Sequence, residues 1–451
     1  MRSQLIGRKS KIYTNKIIPL FFVFVVIRLI YVLVIQADLF NLSYAAAAGL
    51  FSIVLCIFSS RKYRLQLVEQ EYIYLFMCIA YLTIIYLITL NTYYKEATMT
   101  DIKSLIFLFV VVGFYIYLEN FCDLKRKKTL LLIYFIGFAV SLFTTLYVEV
   151  TGGGDLIRNT AKGGQSDLYS FAYGGYDFIY STLIIFVIML TLLKEKHSKI
   201  DPTGKIVLLG LLALSFVVIV LANYTTAFVL CLLSVIYCLM PNDFRRYVVI
   251  LLIVVFFAVY AEKLIDVVNN LPYVSELTKA RVNNVLLDIS GQETTEKFLT
   301  GEGQRFDRIM WTWEIIKRYP LFGVYVRNGG VGRMGGHTQW LDDMGKYGAF
   351  YSVFFIMFWI VMFKKLLASP FIKNTGDSIL KNAYMMFLVL GFLDPIGIPM
   401  MSGVLLVCAP FIEFVFCNKQ YLYACMDINE APIRMSRLNR MRRNQRGELY
   451  R

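Results

Sequence analysis

The chain has 451 residues, of which 58% are hydrophobic and only 17% charged, and carries a formal net charge of +15. So few charges cannot cover an ordinary solvated surface, which argues against a soluble globular protein and for a chain surrounded by lipid. The basic excess is explained by membrane topology and attraction to anionic lipid, so no nucleic-acid partner is expected.

Apolar runs of about 17–20 residues recur along the chain, each long enough to cross a hydrocarbon core of roughly 30 Å as a helix. They predict an all-α integral membrane protein with about twelve transmembrane helices. The spans fall at 17–35, 42–59, 72–90, 104–121, 129–148, 176–193, 206–221, 225–240, 247–261, 349–363, 382–397 and 401–417. The first follows Arg2, Arg8, Lys9, Lys11 and Lys16, as a secretory signal would. It is longer than a signal core and a second span follows at once, so it reads as a retained helix.

Lys and Arg alternate between the connecting segments. One side holds Arg61, Lys62 and Arg64, the Lys125–Lys128 cluster, Lys194–Lys205, Arg245 and Arg246, Lys364 and Lys365, and the tail from 418 to 451. The loops at 36–41, 222–224 and 398–400 have no basic residue. Basic side chains accumulate on the cytoplasmic side of short loops, so both termini are expected inside. The predicted organisation is spans 1–9 over 1–261 with an external loop at 149–175, a large external loop at 262–348, spans 10–12 over 349–417, and a basic cytoplasmic tail at 418–451.

The eight cysteines fall in spans or on the cytoplasmic side, so no external disulfide is expected. No Cys/His cluster has zinc-site spacing, and neither a metal nor a cofactor is expected. Arg28 and Glu413 lie inside predicted spans, where ionisable residues are functional candidates, although pairing between helices also explains them. Asp394-Pro395 sits where span 11 ends, and a helix break accounts for it.

Chemistry is expected in the two long external loops, held by a rigid bundle. The larger carries eleven Lys/Arg against eleven Asp/Glu, so its cations matter by position. Arg305 and Arg308 are three apart on a predicted helix over 304–319, whose apolar stripe is Ile309, Trp313 and Ile316. Pairing with Glu302, Asp307 or Glu314 on an exposed face is the alternative reading of the two arginines. Pro320 ends this helix. A Pro-Leu-Phe-Gly turn follows, then a glycine-rich segment leading to His337, and then Thr338, Leu341, Gly345 and Gly348 at the return to the membrane. In the smaller loop Arg158 is a further candidate cation. Tyr169, Phe171, Tyr173 and Tyr176 after it could stack on sugar rings or form an interfacial belt.

An arginine before an amphipathic helix, the Pro-Leu-Phe-Gly turn, the glycine-rich loop and His-x-x-x-Leu together resemble the O-antigen ligase and polysaccharide polymerase family. The motif likeness covers about Arg305–Gly348 and the topological likeness most of the chain. Two departures are Thr338, where the family often has Asn, and Asn223-Tyr224-Thr225 in place of a Ser-Arg pair. The resemblance implies a bacterial inner-membrane glycosyltransferase acting on undecaprenyl diphosphate-linked glycans at the outer face, with a chain-length regulator as a possible partner. It implies catalytic roles for His337 and Arg305, with Arg308 the close second match to the family's loop arginine and a binder of diphosphate; Arg158 is placed at the diphosphate by its position in the smaller loop. The residue chemistry agrees. Arginine binds phosphate oxygens bidentately and stays charged, and histidine exchanges a proton near neutrality. Polymerisation is the favoured reading; ligation to lipid A core or protein, and transport of lipid-linked glycans, are the alternatives. Transport fits less well, because the spans lack paired halves and mid-membrane polar sites.

Overall fold

The structure is a computed structural model that describes residues 22–23, 25–26, 42–60, 65, 69–92, 94–152, 175–222, 224–240, 259–270, 279, 283, 303–327 and 338–425. Among these residues there is no β-strand, only a single antiparallel bridge between Ile200 and Cys417. The helices are α1 (Leu42–Ser59), α2 (Gln70–Ile88), α3 (Lys95–Phe121), α4 (Leu124–Gly152), α5 (Tyr176–Lys196), α6 (Pro202–Leu221) and α7 (Thr225–Leu239). They continue with α8 (Ala261–Asn269), α9 (Gly303–Arg318), α10 (Gln339–Ala368), α11 (Pro370–Thr375), α12 (Ser378–Leu393) and α13 (Ile398–Phe411).

Six of the described helices are long and apolar enough to cross a membrane, and four shorter apolar helices accompany them. These coincide with ten of the predicted spans. The predicted span at 17–35 contributes only Phe22, Val23, Val25 and Val26, and that at 247–261 lies almost wholly outside the described residues. Phe22 is fully buried, with its ring 4.8 Å from Phe114 and 5.0 Å from Tyr117 of α3.

The helices are apolar on their outward faces as well as inward, as lipid-contacting helices are. On α2, Ile73, Phe76, Ile84 and Leu87 are more than half exposed, and on α6 Ile206 is 74% exposed. α3 and α5 form the buried centre. α3 packs against α1, α2 and α13, and α5 against α6, α7 and α12.

The helix ends sort into two groups. At one end Lys365 of α10 pairs with Glu69 and Glu71, Lys196 binds the Thr375 carbonyl, and the Asn418 N–H bonds Lys199. At the other, Tyr176 and Gln339 bond Asp394, and Tyr94 stacks on Tyr325.

Three helices extend past the apolar runs that predict them. α3 begins at Lys95 and α4 runs to Gly152, both well beyond the apolar runs, because neighbouring helices let polar turns continue the helix. α10 begins at Gln339, ten residues before the apolar run at 349–363. Gly348 breaks α10 into two helices, with φ 78° and ψ 178°.

That break is a satisfied seam, as non-helical backbone beside lipid must be. Pro320 ends α9, and the following turn fits into the gap. The N–H groups of Ala349 and Phe350, orphaned by the break, donate to the carbonyls of Pro320 and Leu321 at 2.8 and 3.1 Å. The Tyr81 hydroxyl donates to the Tyr347 carbonyl at 2.9 Å, and the Val324 N–H to Gly345 at 3.0 Å. Only glycine fits on either side. A Cβ at Gly348 would lie 2.3 Å from the Leu321 oxygen, and one at Gly323 2.2 Å from the Lys346 oxygen.

Candidate functional site

The first half of α10, Gln339 to Tyr347, organises a polar cluster where α3, α5 and α10 begin. Asp342 and Asp343 follow one another, and each serves a different neighbour. The Thr312 hydroxyl of α9 donates to Asp342 Oδ1 at 3.2 Å, and the Thr338 backbone N–H donates to Asp342 Oδ2 at 3.1 Å. The second bond satisfies a donor at the helix start and places a carboxylate near its positive dipole end. The two bonds together tie α9, through Asp342, to the residue that follows His337.

Asp343 accepts from Gln339 Nε2 at 2.7 Å and lies 3.9 Å from Lys346 Nζ. The Gln339 Oε1 accepts the Ile396 N–H at 3.2 Å, so this amide is held from both ends. The Gln339 N–H reaches the Asp394 carbonyl at 3.4 Å, and the Asp394 carboxylate accepts from Tyr176 at 2.5 Å and Tyr180 at 2.6 Å. Tyr347 donates to Asp101 of α3 at 2.6 Å. Lys346 interacts electrostatically with Asp101 and both carboxylates of its own helix. Tyr94 and Tyr325 stack beside it, ring centroids 4.2 Å apart. Burial pushes the Tyr325 phenol up to about 12, so it stays protonated at neutral pH.

These residues surround a cavity of about 260 Å³ lined by Asp101, Ser104, Asp177, Gln339, Asp343 and Tyr351, with Ile396–Met400 along one wall. Gly397 lets that wall close in, since a Cβ there would lie 2.3 Å from Asp177 Oδ2. Against the opposite face of α10 runs an apolar groove of about 760 Å³ shared with α12. It extends from Trp340 and Met344 past Ile356 and Trp359 to Lys381. Trp340 donates its indole N–H to the Leu388 carbonyl at 3.1 Å, seated over Gly391, where a Cβ would meet the ring at 2.2 Å.

Of the sequence-predicted residues, Arg305 and Arg308 belong to the backbone of α9, four and seven residues before Thr312 in reverse order, and their side chains lie outside the described residues. His337 and Arg158 also lie outside the described residues, as do Tyr169, Phe171 and Tyr173. The structure thus joins the helix bearing both arginines to Thr338, the immediate neighbour of His337. It commits the Tyr176 hydroxyl to Asp394 and sets the Tyr176 ring edge-on to Tyr224 at 5.2 Å. Asp394 does follow the last residue of α12, yet its carboxylate has a second task that a helix break does not explain. Glu413 is buried and accepts from Tyr421 at 3.1 Å.

Sequence reasoning missed Asp101, Asp177, Gln339, Asp342 and Asp343. The one available signal was the adjacent pair Asp342-Asp343 directly after the histidine loop. Comparison with protein-family models, curated proteins and solved structures returns no match for this chain, so its function is argued from its own residues.

Proposed function

We propose that the protein is a polysaccharide polymerase that transfers glycan from a polyprenyl diphosphate donor to a sugar hydroxyl of a lipid-linked acceptor. In this reading twelve spans cross a bacterial inner membrane with both termini in the cytoplasm. The end carrying α9 and the start of α10 faces outward. The observation that carries the reading is the clamp on Asp342, which ties Thr312 of the arginine helix to Thr338 beside His337. A helix bearing two arginines, joined to the residue next to a histidine, supplies the residue types that diphosphate departure and hydroxyl attack need.

In the reaction the acceptor oxygen attacks the anomeric carbon and forms the new glycosidic bond. The bond from that carbon to the diphosphate oxygen breaks, and its electron pair leaves with the diphosphate. His337 takes the proton of the attacking hydroxyl. Arg305 and Arg308, with Arg158 from the smaller loop, hold the departing diphosphate, where the fork of arginine matches phosphate oxygens. The apolar groove beside Trp340 supports a donor with a long hydrocarbon chain, because it opens along the membrane-crossing half of α10 next to the polar cluster.

The test separates the two roles. His337→Ala should lower polymer formation by about 10²–10⁴-fold with donor affinity retained, whereas Arg305→Lys should weaken donor binding and turnover together. Wild-type polymer from His337→Ala overturns the base assignment.

A further inference from the structure

We infer that the cavity bounded by Asp101, Asp177, Gln339, Asp343 and Tyr351 is a subsite for one uncharged sugar ring. Naming that sugar as the acceptor's terminal residue rests on the transferase reading; the binding itself does not. The cavity, about 260 Å³, lies just below the range of roughly 300–1,000 Å³ typical of small-molecule sites, which suits a single ring.

Tyr351 points to the ligand. It is 3% exposed, its ring packs against Tyr347 at 5.1 Å and Phe355 at 5.5 Å, and it lines the cavity. Its hydroxyl makes no hydrogen bond to another described residue and stays accessible from the cavity that the side chain lines, free to bond what enters it. Its electrostatic neighbours are Asp343 and Asp101. The space therefore offers one unused O–H donor opposite carboxylate acceptors, with the Gln339 amide already fixed in place.

A ligand filling it must accept and donate hydrogen bonds within a few ångströms, and sugar hydroxyls do both. A metal ion needs converging acceptors, and among the described residues no three His, Cys, Asp or Glu side chains converge in that way. Among the described residues, a diphosphate or a uronic acid would face the carboxyl groups of Asp101, Asp177 and Asp343, with Lys346 already engaged by Asp343 and Asp101, and like charges in a low-dielectric site repel strongly. The donor diphosphate is thereby kept out and the neutral sugar admitted.

The experiment is saturation-transfer NMR on the full chain in lipid nanodiscs, with methyl glucoside, methyl N-acetylglucosaminide and methyl glucuronide as probes. The neutral glycosides should receive saturation and the glucuronide should not. Tyr351→Phe keeps the ring packing and removes only the unused hydroxyl, so it should weaken neutral-glycoside binding by about 3–10-fold. Asp343→Asn should weaken it further and admit the glucuronide. The subsite is overturned if no neutral glycoside binds the wild type, if glucuronide binds equally well, or if Tyr351→Phe binds unchanged. Polymer formation is assayed on the same nanodiscs. Glycoside binding without any transferase activity would overturn the proposed function and leave the subsite standing; polymer formation without glycoside binding would do the reverse.

Discussion

Thr312 of α9 and the backbone N–H of Thr338, the residue before α10, bind opposite oxygens of one buried carboxylate, Asp342. This joint should be load-sensitive in a graded way. Thr312→Val removes one long hydroxyl bond to the carboxylate and should cost about 1.5 kcal/mol, whereas Asp342→Ala leaves a buried backbone N–H and a buried hydroxyl unsatisfied and should cost about 2–4 kcal/mol. Reversible unfolding in mixed micelles measures both. Equal losses from the two variants would contradict the shared role of the carboxylate.

The seam between the Pro320 turn and Gly348 predicts a second pattern. Gly323→Ala and Gly348→Ala each force a side chain against backbone oxygen at positive φ, and each should destabilise by about 2–4 kcal/mol. Since both open the same joint, the double variant should lose less than the two losses added together. Strict additivity in the same unfolding assay would show the two glycines to act independently.

Helix existence was legible because apolar runs of the right length leave few alternatives in lipid, and α9 was legible because its stripe has helical spacing and ends at Pro320. The break in α10 was not. Gly348 reads as the return from the loop, just before the apolar run at 349–363, and only the turn at Pro320–Gly323, brought in from the preceding segment, shows it to be a break within a helix. The site was half legible for a similar reason. Cations and a histidine in a loop announce themselves by type. Asp101 and Gln339 gain meaning only when α3 and α10 meet, and Asp394 only when Tyr176 and Tyr180 arrive more than two hundred residues away in sequence.

The Asp394 carboxylate should couple its two tyrosines. Tyr176→Phe and Tyr180→Phe each remove a hydrogen bond to a charged acceptor, a loss of about 1.5–3 kcal/mol apiece. Because both serve one buried group, a double-mutant cycle should give a non-zero interaction energy, on the order of 0.5–3 kcal/mol. A cycle that closes at zero would mean the two hydroxyls act independently of each other.

Arginine supplies the electrostatic stabilisation in the proposed reaction, so activity should persist when divalent cations are chelated. Purified protein in EDTA should make polymer at the untreated rate. Activity lost in EDTA and restored by magnesium or manganese would assign the diphosphate charge to a metal and remove it from Arg305 and Arg308.

The most direct measurement of the central claim uses purified protein in liposomes supplied with undecaprenyl diphosphate-linked repeat units, following both glycan length and free undecaprenyl diphosphate. A polymerase gives a ladder of longer glycans, with one undecaprenyl diphosphate released for each bond formed, and both signals are lost in His337→Ala and Arg305→Lys. Intact donor appearing on the opposite leaflet, with no free undecaprenyl diphosphate and no longer glycan, would contradict it and make the protein a transporter of lipid-linked glycans.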